Sequence, residues 1–103
     1  MPRQLEYTDE AIDDLDAIRR WLTQSGAGPR ARRQLVAIRA AINRLKRSPC
    51  LWPVGQHPSI RELPCDGGYR ALYEVYPDTG RDETAGDVTV LRVYGPAQDR
   101  SRP

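Results

Sequence analysis

A chain of 103 residues, 39% hydrophobic and 29% charged, with a formal net charge of +2, has the make-up of one compact domain over residues 1–103. Its amino-terminal stretch lacks the continuous apolar run of a signal peptide, and no segment approaches the roughly 20 apolar residues that cross a membrane, which points to the cytoplasm. In that reducing compartment Cys50 and Cys65 read as free thiols, and together with one histidine and scattered carboxylates they offer no metal or cofactor site.

Arg3 to Tyr7 is short and partly apolar, which suits a first strand. Thr8 then stands at an N-cap position, and Asp9, Glu10, Asp13 and Asp14 place negative charge at the positive end of a helix dipole, so a helix starts near Asp9. Ala11, Ile12, Leu15, Ile18 and Leu22 recur at helical spacing and predict its core face, with Trp21 at the edge. Ser25 to Gly28 interrupts the pattern, and Pro29 opens a second helix that runs to about Arg47. The two helices form a hairpin.

The second helix carries an apolar stripe of Ala31, Leu35, Ile38, Ile42 and Leu45. Arg32, Arg39 and Lys46, seven apart, run parallel to it, and Arg33, Arg44 and Arg47 widen the basic surface. Charge along the chain is lopsided: six acids fall within Glu6 to Asp16, none between Ala17 and Arg61, and that middle span holds ten arginines and lysines. Such a surface suits docking to nucleic acid or an acidic protein, and equally a solvated helix face.

Ser48 to Ser59, with three prolines and Gly55, is an extended connection in which Trp52 pins the loop to the core and His57 stays at the surface. Ile60 to Tyr76 reads as a hairpin turning at Asp66-Gly67-Gly68. After the turn Tyr69, Ala71, Tyr73 and Val75 form the core face, while Arg70, Leu72, Glu74 and Tyr76 point the other way. A loop from Pro77 to Gly86 leads to a last strand, Asp87 to Tyr94, and a polar tail that is expected to be mobile. The order predicts an α+β fold: an N-terminal strand, a helical hairpin, then a three-stranded antiparallel sheet packed on the helices.

DEAIDDLDAIRRWL, the proline-led second helix, Arg61-Glu62-Leu63, GYRALYEV and VLRVYG, in this order, resemble the RelE/ParE superfamily of type II toxin-antitoxin toxins over nearly the whole chain. The resemblance implies a small toxin wrapped by the carboxy-terminal segment of a partner antitoxin. In the ribonuclease branch, lysines before the GYR turn, its arginine, and an arginine and tyrosine after the last strand supply the chemistry. Here Arg70 matches the GYR arginine, whereas Ile60, Arg61 and Glu62 stand where the lysines would be, and Gly95, Pro96 and Ala97 follow the last strand.

The Arg61-Glu62-Leu63, YRALYEV and VLRV segments are closer to the ParE branch, which implies inhibition of DNA gyrase by binding, without a catalytic set, and a ParD-like antitoxin in a hetero-oligomer. The alternative is a RelE-like ribosome-dependent mRNA endonuclease. Candidate partner or target contacts are Arg61, Arg70, Arg92 and Tyr94, with Arg32, Arg39 and Lys46 on the basic helix. Arg61 and Arg92 are expected to join Arg70 on the sheet face without helices, unless Arg70 instead pairs with Glu62 or Glu74. An apolar groove around the first helix and the sheet edge is the expected seat of an antitoxin helix and strand.

Overall fold

A computed structural model describes residues 3–96; the expected polar tail lies outside the described residues. The elements are β1 (Leu5–Tyr7), α1 (Asp9–Thr23), α2 (Gly28–Asn43), β2 (Arg61–Pro64), β3 (Arg70–Tyr76) and β4 (Asp87–Tyr94), with a short 3-10 turn, Arg44–Lys46, extending α2. The sheet order is β1-β4-β3-β2. The last three strands are antiparallel neighbours as expected, and β1 adds a fourth strand parallel to β4, with Leu5 opposite Val88 and Tyr7 opposite Val90. The helical hairpin separates β1 from the other strands in sequence and supplies the crossover a parallel neighbour needs.

Thr8 caps α1 as its position predicts: its Oγ1 accepts the Ala11 N–H at 3.1 Å and donates to the Leu91 carbonyl at 2.8 Å. One hydroxyl therefore starts the helix and ties it to β4. Ala11, Ile18 and Leu22 of α1 and Ile38, Ile42 and Leu45 of the second helical segment are buried against Ala71, Tyr73, Val75, Val88, Val90 and Val93. Each large aliphatic among them contributes roughly 1.5–3 kcal/mol by leaving water. Ile12 departs from the expected core face, for it is 53% exposed, and Trp21 is more open still. Nothing among the described residues covers that side of α1, so an apolar position at helical spacing faces solvent.

The hairpin turns at Asp66–Gly68, a tight kinked reversal closed by the Cys65 N–H bonding to the Tyr69 carbonyl at 2.8 Å. Gly67 and Gly68 have φ of 76° and 83°, a region glycine enters without the Cβ penalty. The core face of β3 is as predicted, but Leu72 on the opposite face is also fully buried, in register between Glu62 and Arg92. A register shift after Leu72 makes Leu91 an extra residue on β4, a bulge that bends the strand where β1 has ended and α1 takes over its edge.

Loop Ser48–Ser59 is held by Tyr73, whose hydroxyl donates to the Pro49 carbonyl at 2.7 Å, and by a bridge between Val54 and Arg61. Arg61 donates to both oxygens of Asp78 (2.9 and 3.0 Å) and to the Trp52 carbonyl (2.6 Å), joining β2, this loop and the β3–β4 connection. The Arg61 guanidinium holds the Asp78 carboxyl below the usual carboxylate range, against the opposing effect of burial. A carboxylate whose folded pKa lies below its unfolded value of about 3.9 stabilises fully above that value and loses the contribution as pH falls through the folded pKa. Asp78→Asn is therefore expected to cost about 1–3 kcal/mol near neutral pH, and its difference from the native chain in thermal melts should shrink below roughly pH 4. A difference that stays constant down to acid pH would refute this.

Candidate partner-binding surfaces

The exposed side of α1 forms one wall of an apolar groove. Tyr7 of β1, Ile12 and Leu15 of α1 and Ile42 of α2 line it, with the Asp16–Arg19 pair on one lip and Arg39 on the other; its volume is about 320 Å³. The Asp16 carboxylate accepts from Arg19 at 2.7 Å, which lowers its pKa. Burial raises the Tyr7 hydroxyl, and Tyr7, Ile12, Leu15 and Ile42 together give the groove an uncharged, mostly apolar floor between its charged lips. Such a groove beside an edge strand has the shape and chemistry to take an amphipathic helix.

The second face of the sheet brings together three of the four sequence-predicted contacts. Arg70 lies opposite Tyr94, and Leu72 opposite Arg92, and cross-strand partners share a face. Arg92 donates from Nε and Nη2 to the two oxygens of Asp14 at 2.8 and 3.1 Å, and the Val93 N–H adds a third bond to Asp14 at 2.9 Å. Its guanidinium carbon also lies 4.9 Å from the centroid of the Tyr94 ring. Arg92 is thus engaged by α1 and by Tyr94, and Tyr94 itself is buried, with only 4% of its surface open.

Arg61 does not join this face. The register pairs it with Tyr73, on the helix side of the sheet, because the turn between β2 and β3 sets Pro64 opposite Arg70 and so sends odd-numbered Arg61 the other way. Arg70 forms no ion pair among the described residues; Glu62, one of its expected partners, accepts the Gln56 N–H at 3.2 Å instead. Arg70 lines an open hollow of about 430 Å³ with Trp52, Gln56, Glu62 and Pro64.

Arg32, Arg39 and Lys46 are all exposed as the helical pattern predicts, and Arg39 alone among them borders the groove. Neither cysteine is activated: burial pushes the Cys65 thiol up to about 11 and raises Cys50 as well, so both stay protonated and weakly nucleophilic near neutral pH.

Set beside known proteins, the sequence pattern described as ParE toxin of type II toxin-antitoxin system, parDE, matches residues 5–100. The chain belongs to this family. Among solved structures that match, the chromosomal ParDE toxin-antitoxin system from P. aeruginosa superposes with a TM-score of 0.66 at 19% identity, covering 88% of this chain and 92% of that one, a likeness of fold. A search of curated proteins finds no match.

For a ParE toxin the groove is the feature that sequence reasoning placed only in outline. Ile12, expected on the core face, is the residue that opens to the groove, whereas Leu15 is partly buried, packing against the core as expected while also lining the groove. Asp14 was also missed as an anchor, since it sits in a run of acids that the helix dipole already explains.

Proposed function

We propose that this ParE-family toxin inhibits DNA gyrase by binding it, and that a ParD-like antitoxin neutralises it by laying an amphipathic segment in the α1–α2 groove. Membership of the ParE family over residues 5–100 carries the reading. The ParDE system that shares the fold supports an antitoxin partner. The groove supplies the seat: exposed Ile12 for the apolar face of the segment, and Arg39 on the lip for acidic residues beside it.

Of the sheet arginines, Arg61 and Arg92 are engaged in ion pairs with Asp78 and Asp14, which favours a protein that acts through contact. Arg70, in its open hollow, is the candidate contact to the target on this face, with Arg92 on the same face held against the buried Tyr94 ring. On this reading the protein works in the cytoplasm, where gyrase and its DNA are. No helix among the described residues is long and apolar enough to cross a membrane.

The test is purified chain added to gyrase, ATP and relaxed plasmid. Supercoiling should fall and cleaved plasmid should accumulate after protein denaturation, and both effects should be reversed by the antitoxin encoded beside the toxin. Undisturbed supercoiling with ribosome-dependent cuts in messenger RNA would overturn the reading in favour of the RelE-like alternative.

A further inference from the structure

Seven arginines and lysines lie from Arg30 to Arg47, on α2, on the 3-10 turn that extends it and at Arg47, which caps that turn, and all seven are exposed. Among the described residues none of them takes part in an ion pair. At the pitch of α2, with the tighter 3-10 turn carrying the spiral on, Arg32, Arg39 and Lys46 form one row, and Arg30, Arg33, Arg44 and Arg47 a second row about a third of a turn away. Val36 and Asn43, exposed and uncharged, lie between the rows. Positive charge this dense on one helix repels itself, and α2 has no acid in its first turn to offset it. Counter-charge from outside would relieve both.

We propose that this outward face of α2 binds the phosphate backbone of double-stranded DNA without regard to sequence. A helix with its side chains is about 10–12 Å across and the major groove is about 12 Å wide, so two cationic rows flanking an uncharged strip meet the two phosphate walls of a groove. A single strand would need aromatic side chains on which its bases stack, and α2 has none. A protein partner would need a buried apolar or aromatic anchor, and Val36 is the one large apolar side chain the face exposes. Arg39 alone of the seven also borders the α1–α2 groove, so the DNA-binding face and the groove proposed for the antitoxin meet at that one side chain and the other six lie outside the groove. The inference does not depend on gyrase being the target.

The test is fluorescence anisotropy of the purified chain with a labelled, mixed-sequence duplex of about 30 base pairs, titrated between roughly 50 and 200 mM salt. Affinity should fall linearly on logarithmic axes with a slope of about −0.9 per phosphate contact, which for four contacts is roughly a 150-fold loss across that range. The triple variant Arg33→Gln, Arg44→Gln, Arg47→Gln should flatten the slope by about 2.7 and weaken binding roughly tenfold or more at low salt. Arg20→Gln, on exposed α1, should change neither. Circular dichroism of the triple variant should match the native chain, since all three side chains are at the surface.

No duplex binding at low salt, or a slope unmoved by the triple substitution, would overturn the proposal. So would tighter binding of a single strand of the same length, or of a poly-glutamate peptide, than of the duplex. Gyrase inhibition is read in the supercoiling assay with the unmodified chain, so failure of one reading does not pass for failure of the other.

Discussion

Ile12→Glu is expected to release the toxin from its antitoxin while leaving the fold intact. Ile12 is 53% exposed in the free chain, so a glutamate there meets water and costs the monomer little. In the complex the same position would lie under an apolar helix, where an unpaired carboxylate loses its hydration without gaining a partner. A central apolar contact of this kind is worth about 2 kcal/mol or more, and the buried charge adds to it, so antitoxin affinity should fall roughly 100-fold or further. Titration calorimetry with the proposed ParD-like antitoxin measures this directly. Thermal melts of the free variant should stay within a few degrees of the native chain. Unchanged affinity would mean that the antitoxin docks elsewhere.

The second large effect is on stability. Asp14 accepts three hydrogen bonds, two from Arg92 and one from the Val93 N–H, at the point where β1 has ended and α1 covers the edge of β4. Asp14→Ala leaves a half-buried guanidinium and a strand N–H without their acceptor, and removing one partner of such a pair costs more than the pair itself contributes. We expect a loss of about 2–3 kcal/mol, or roughly 10–20 °C in the thermal midpoint for a domain of this size. Pairing Asp14→Leu with Arg92→Met should recover part of it, because the orphaned charge is gone. A midpoint unchanged by Asp14→Ala would show that the α1–β4 junction is held by packing alone.

Local signals carried much of the fold. Thr8 followed by acids marks the start of α1, Pro29 after a glycine-containing break marks α2, and the alternation in β3 assigns Tyr69, Ala71, Tyr73 and Val75 to the core. What depends on distant pairing was harder to see. The parallel placement of β1 beside β4, the Leu91 bulge and the side of the sheet that Arg61 occupies all follow from register, and a one-residue change of register reverses a strand's faces. The tertiary partners of the sheet arginines, Asp14 and Asp78, are far from them in sequence, so neither ion pair shows in local pattern.

The candidate surfaces divide in the same way. The basic face of α2 was legible because helical periodicity alone puts Arg32, Arg39 and Lys46 in one row. The groove was expected in outline from the family resemblance, but not which α1 residues line it, since periodicity treats a side chain that meets a sheet and one that awaits a partner alike. Arg70 is singled out by its family motif, and the register sets Pro64, not Glu62, directly opposite it, while the Glu62 carboxylate accepts the Gln56 N–H.

The central claim, that the toxin acts by contact with gyrase, is tested most directly by controlled expression in bacteria that carry either wild-type or toxin-resistant gyrase, with double-strand breaks and transcript integrity scored together. The account predicts filamentation and gyrase-dependent DNA breaks while messenger RNA stays intact, and relief of both when the antitoxin is co-expressed. Rapid arrest of translation with transcripts cut on the ribosome, and no dependence on the gyrase allele, would contradict it.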